Sequence, residues 1–289
     1  MNIAVLGTGL MGYPMARRLC EAGHTVQAWN RTREKAERLA PFGATVHAQA
    51  ADAVQPADVV ICLLQDGAVV GDVLFSHGVA GALKTGTLVI DMSSIQPAQA
   101  REHAARLGGL GHSYLDAPAS GGTLGAENGT LAIMAGGPAA AFERAQAVFQ
   151  PLGRATLVGP HGTGQLAKLA NQMIVGITIG AVAEALLLCE KGGASMARVR
   201  EAISGGFADS RILQVHGQRM VERDFAPRGR MSVQHKDLRN ALTTAEDVGF
   251  DAPVTQLLEK LYQEGIAHGL ADLDQSGLFV ELARRNGMR

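Results

Sequence analysis

Lys168 stands among Leu166, Ala167, Leu169 and Ala170, an apolar setting for a lysine. Enclosure in such surroundings penalises the ammonium form and brings a lysine toward the range useful for proton transfer near neutrality. The competing reading is a stem laid along a helix with its head in solvent. Asn171 follows three residues later, on the same helix face, where its amide could orient a reacting carbonyl. Gly162, Thr163 and Gly164 lie just before, a loop that lets a small substrate approach the backbone. Lys168 is therefore the candidate acid and base, and Asn171 its partner.

A second cluster, Asp116-Ala-Pro-Ala-Ser120-Gly121-Gly122, follows an apolar run at the place where open α/β sheets bind ligands. Ser120 and the amides of Gly121 and Gly122 could hold a carboxylate, or could simply turn the chain. A third, His235-Lys236-Asp237-Leu238, opens an amphipathic helical pattern and by itself is only a charged helix start.

Gly7, Gly9 and Gly12 fit GxGxxG directly after a strand-like IAVLG and before a helical pattern, the context that gives the motif meaning. The first glycine permits the tight turn, the second a close pyrophosphate and the third close helix packing, with Leu10 and Met11 inside the same loop. Where NAD enzymes usually carry an acidic residue, this chain has Asn30, Arg31 and Thr32. Arg31 would pair with a 2′-phosphate, so NADP(H) is the expected cofactor, with NAD(H) possible.

Elements must hold these groups. Apolar runs at 3–7, 25–29, 59–64 and 87–91 alternate with helical patterns at 14–21, 32–40 and 97–107, and further strands are expected at SYLDA, LAIMAGG and ATLVG. The alternation predicts parallel strands with crossover helices, Thr32 as an N-cap and Pro97 in a first turn. After about residue 160 helical patterns follow one another at 165–191, 196–203, 212–223, 233–248 and 254–268. The expected fold is α/β: a Rossmann-like doubly wound domain, 1–161, then an all-α domain, 162–289, for substrate and dimerisation. Its first helix is apolar on nearly every side, as suits enclosure by neighbouring helices or a second subunit. Asn171, Gln172 and Glu184 interrupt the apolar run and favour a core helix over a membrane span.

With 26 basic and 27 acidic residues and a net charge of -1, the 289-residue chain has no basic tract to attract nucleic acid. A 47% hydrophobic content suits a packed globule. Cys20, Cys62 and Cys189 sit in apolar runs without metal or redox spacing and read as reduced core thiols, so a cytoplasmic setting is expected. The histidines show no HxH or HxxxH spacing, and no metal is expected.

Taken together, GTGLMGYPMARRL, IDMSSIQP, DAPASGG, GTGQLAKLANQ and HKDL resemble the β-hydroxyacid dehydrogenase family, which includes 3-hydroxyisobutyrate dehydrogenases and tartronate semialdehyde (2-hydroxy-3-oxopropionate) reductases. GGFADSRILQVHG and the late DQSGL look more like the tartronate semialdehyde reductase branch. The resemblance implies that Ser94 and Lys236 line the nicotinamide end, that Leu64 and Gln65 belong to a cofactor loop, and that the Ser120 turn holds the substrate carboxylate. It implies Asn171 as support for Lys168. Gln65 departs from the family's usual Pro, which opens the question of how the cofactor loop sits, and Ala119 from the commoner Val, which opens the question of substrate. The activity implied is reversible reduction of a small carboxylate-bearing semialdehyde of the tartronate, succinate or methylmalonate type, by a homodimer or homotetramer. Imine reduction on a similar scaffold and a noncatalytic NADP-binding redox sensor are the rivals.

Overall fold

The computed structural model describes residues 1–288. They form two compact units, 1–168 and 169–288.

The first unit is built on nine strands: β1 (Asn2–Leu6), β2 (Thr25–Trp29), β3 (Thr45–Val46), β4 (Val59–Cys62), β5 (Leu88–Asp91), β6 (Ser113–Asp116), β7 (Ala119–Ser120), β8 (Leu131–Gly136) and β9 (Gly153–Gly159). Their order is β3-β2-β1-β4-β5-β6-β8-β7, with β9 also paired to β8. From β3 to β6 all pairings are parallel. Alternate residues feed two cores: Ile3, Val5, Val59 and Ile61 face one side, Ala4, Leu6, Val60 and Cys62 the other. Burial on both faces explains the nearly unbroken apolar runs. Helix α1 (Gly12–Glu21) packs Met15, Ala16 and Leu19 on the first side, together with α3 (Ala139–Phe149), while α2 (Pro97–Gly109) packs Ala100, Ala104 and Leu107 on the second.

The four strands expected to be parallel are so, and the pairing reverses only at one edge, where β6 and β7 both run antiparallel to β8. β7 keeps the register of β6 beyond Ala117 and Pro118, so Ser120 lies on a continuation of that strand and only then does the chain turn. The helix expected at 32–40 is shorter, Arg33–Glu37, and Thr32 occupies its N-cap position without a side-chain capping bond. Pro97 is in the first turn as predicted, where the Gln99 side chain accepts from the Gln96 amide. Of the three cysteines only Cys62 is fully buried.

The second unit is helix upon helix: α4 (Thr163–Lys191), whose first turn belongs to the first unit, then α5 (Met196–Ile203), α6 (Arg211–Glu222), α7 (Met231–Asp247), α8 (Pro253–Gly265) and α9 (Leu278–Arg285), the last absent from the sequence reading. Ile179, Val182, Ala183, Leu186 and Leu187 of α4 enter a core with Leu213, Leu238, Tyr262 and Phe279. α4 is long and apolar enough to cross a membrane by length and composition. Its enclosure is one-sided, because Leu166, Ile174 and Leu188 are 50%, 66% and 72% exposed.

Candidate active site

The glycine loop joins β1 to α1. Gly7 has φ of 104°, which favours glycine, and a Cβ on it would strike the Leu63 carbonyl. A Cβ on Gly12 would overlap the Gly7 carbonyl, so this glycine is required by the fit of helix against loop. Gly9 differs: a Cβ there meets nothing within 4 Å, and its φ is not in the left-handed region. The fold therefore gives no reason for a glycine at 9, whereas a pyrophosphate seated against the backbone does. Thr8 points the same way, with its hydroxyl buried and lacking a hydrogen-bond partner. The N-terminus of α1 has no side-chain cap, Leu10 is exposed and Met11 half-buried, so the loop residues fit a dinucleotide. At the end of β2 the Asn30 carboxamide accepts from Thr8 N at 3.0 Å and donates to Thr32 O at 2.9 Å, bracing the loop, while Arg31 is exposed.

Two aspartates end neighbouring parallel strands as register partners, Asp91 on β5 and Asp116 on β6. Asp91 accepts from the Ser93 amide at 2.9 Å and the Tyr114 hydroxyl at 3.1 Å. Asp116 accepts from the amides of Gly162 at 2.8 Å and Gln165 at 2.9 Å, and so caps the N-terminus of α4. Burial pushes both carboxyls up, each to about 6. Ser93 Oγ accepts from Leu64 N at 3.0 Å, which ties the Leu64–Gln65 loop to the loop carrying Ser94. The Gln165 side chain ties that same loop to α4, donating to Ser93 O at 2.8 Å and accepting from Ile95 N at 3.1 Å. Lys168 follows one helical turn after Gln165 and is half-buried. Gly121 and Gly122, with φ of 138° and 63°, are exposed beside the half-buried Ser120 and open the helix Gly122–Asn128.

In the second unit Asn171 donates to Gln172 Oε1 at 2.9 Å, and Gln172 donates to Asp237 Oδ2 at 2.8 Å and Gln234 Oε1 at 3.1 Å. Lys236 pairs with the other oxygen of Asp237 at 3.3 Å. The HKDL motif thus has an internal logic: buried Asp237 orients Lys236 and anchors the polar stretch of α4. Lys168, Asn171 and Lys236 were candidates from the sequence, whereas Asp91, Ser93, Gln165 and Gln234 carry no local signal because most of their partners are distant in the chain.

The branch-marking DQSGL segment is a structural knot. Asp274 is fully buried and accepts from Arg219 at 3.0 Å and the Ser276 hydroxyl at 2.7 Å.

Two family models cover the chain: the NAD binding domain of 6-phosphogluconate dehydrogenase matches residues 2–161, and the NAD-binding domain of NADP-dependent 3-hydroxyisobutyrate dehydrogenase matches 162–282. A 2-hydroxy-3-oxopropionate reductase of Escherichia coli K12 is 42% identical over 98% of this chain and 97% of its own length. A 3-hydroxyisobutyrate dehydrogenase of Pseudomonas aeruginosa is 34% identical over 96% of this chain and 95% of its own. Among solved structures, Mycobacterium tuberculosis 3-hydroxyisobutyrate dehydrogenase with L-serine has a TM-score of 0.90 and 34% identity, covering 97% of this chain and 98% of its own. With the nucleotide loop, the capped helix and full-length relatives in agreement, the chain belongs to the β-hydroxyacid dehydrogenase family and is an NAD(P)-dependent oxidoreductase of the 3-hydroxyisobutyrate dehydrogenase kind.

Proposed function

We propose that this enzyme reversibly reduces a small carboxylate-bearing semialdehyde, of the tartronate, methylmalonate or succinate type, to its hydroxyacid in the cytoplasm. The observation that carries the reading is Lys168 on a helix whose first turn is clamped by Asp116 and Gln165 to the strand ends of a dinucleotide fold. When bound, a nicotinamide would supply the hydride; the chain's own task is the proton. Lys168 gives it to the forming alkoxide and takes it back in the oxidative direction, with Asn171 orienting the reacting oxygen. Ser120 and the amides of Gly121 and Gly122 hold the carboxylate, two exposed glycine amides beside a hydroxyl being a fitting anion cradle.

Gly7, Gly9, Leu10, Met11 and Gly12 hold the pyrophosphate end, Leu64, Gln65, Ser94 and Lys236 the nicotinamide end, and Asn30, Arg31 and Thr32 the adenosine ribose. Exposed Arg31, with no acidic residue beside it, favours NADP(H). The dinucleotide part runs over 1–161 and the substrate and assembly part over 162–289, in a homodimer or homotetramer. The relative's 42% identity over nearly its full length supports tartronate semialdehyde as the first substrate to try.

The test is a panel of tartronate, methylmalonate and succinate semialdehydes with NADPH and NADH, for wild type and Lys168→Ala. Loss of one general acid lowers kcat by about 10²- to 10⁴-fold with cofactor affinity kept. Undiminished turnover in the variant would remove Lys168 from the chemistry, and turnover of cyclic imines alone would favour the imine reductase reading.

A further inference from the structure

Gln165 is wholly buried, although a leucine would fill a similar space without needing hydrogen bonds. Its carboxamide spends both ends on one short loop, donating to Ser93 O and accepting from Ile95 N, and so brackets Ser94. Its backbone amide meanwhile donates to Asp116 Oδ2 at 2.9 Å, and the other Asp116 oxygen takes Gly162 N at 2.8 Å. Between these bonds, Gly164 lies so close to the carbonyls of Asp116 and Met134 that a Cβ would overlap both. These contacts hold the first turn of α4 against the strand ends, and a side chain bonded at two points to a loop adds resistance to rotation about the helix axis.

We propose that Gln165 is a positioning residue that sets the rotation of α4, and with it the direction of Lys168, relative to the loop carrying Ser94. Gln165 and Lys168 are three residues apart, so they share a helix face and turn together. The inference rests on the assignment of Lys168 above. It requires a neutral group that donates and accepts at once. A glutamate at this position would set an anion against the Ser93 carbonyl and reproduce the amide only when protonated. The ionisable groups linked to it are Asp91, bonded to Ser93, and Asp116, bonded to its backbone, with Tyr114 and His161 beside those carboxyls and Lys168 one turn on.

The experiment uses the full chain with Gln165→Leu, Gln165→Glu and Lys168→Ala, and reads NADPH affinity by fluorescence, KM, kcat and Tm. For Gln165→Leu, kcat falls about 10- to 100-fold while the NADPH Kd and the substrate KM stay within about threefold of wild type. For Gln165→Glu, kcat divided by the wild-type value at the same pH rises as pH falls from about 8 to about 6, because a buried carboxyl regains its proton there. Taking the ratio removes the part of the Asp91 and Asp116 titrations that variant and wild type share.

A wild-type kcat in folded Gln165→Leu overturns the proposal, as does a loss shared equally by Kd, KM, kcat and Tm, which marks a packing role. If Gln165→Leu does not fold, a flat ratio for Gln165→Glu overturns it. Full turnover in Lys168→Ala overturns the Lys168 assignment instead, so the two failures are distinct.

Discussion

Asp91 and Asp116 are buried side by side at the carboxyl ends of β5 and β6, and each is satisfied by hydrogen bonds that hold a loop or a helix. Both are raised to about 6, chiefly because burial disfavours the charged form. For Asp91 the unfolded chain titrates near 3.8 and the folded one near 6, so the folded state holds the extra proton between those values. Its contribution to stability is then complete below about 3.8 and disappears as pH rises through about 6. Asp91→Asn removes this dependence. Urea unfolding at several pH values should show the wild type losing ground to the variant by about 3 kcal/mol between about pH 4 and about pH 7, at about 1.4 kcal/mol per unit. A difference that does not change with pH contradicts the assignment. At the same scale, Lys168 stood out as a candidate because its apolar neighbours are adjacent in sequence. Gln165 did not, since a glutamine in a helix is ordinary and the amide it serves lies 70 residues away.

Among the elements, the parallel strands announced themselves because burial on both faces leaves apolar runs such as VVIC and LVID. The two-residue strands β3 and β7 carry too little pattern to be seen and exist through their partners. The reversal at β8 was equally hidden, because LAIMAG is mostly apolar and reads like its parallel neighbours. The glycines sort themselves by what surrounds them, which allows a paired prediction. Gly164→Ala must displace the backbone of Asp116 or Met134 and should lower Tm by several degrees. Gly9→Ala meets open space and should leave Tm nearly unchanged while weakening NADPH binding about tenfold or more. Calorimetry and fluorescence titration decide it, and a Gly9→Ala protein that binds NADPH normally would count against the pyrophosphate assignment.

Over the whole molecule, the change from alternating strands and helices to helix after helix was legible, and the long helix read as one enclosed by neighbouring helices or by a second subunit. One side of α4 is exposed through Leu166, Ala170, Ile174, Ala181, Ala185 and Leu188, with Glu184 among these mostly apolar residues. If subunits meet there, light scattering finds a multiple of the 30.2 kDa chain mass, and Ile174→Lys moves it toward the single chain. A monomeric wild type would exclude the assembly. The seam between the units carries a further consequence. The first unit ends at Lys168, so the candidate proton donor, its clamp Gln165 and the cap Asp116 are inherited together. Asn171, Lys236 and Asp237 fall on the other side. A recombination crossover after Lys168, joining this chain to a relative, therefore transfers the donor and its anchorage as one hereditary block.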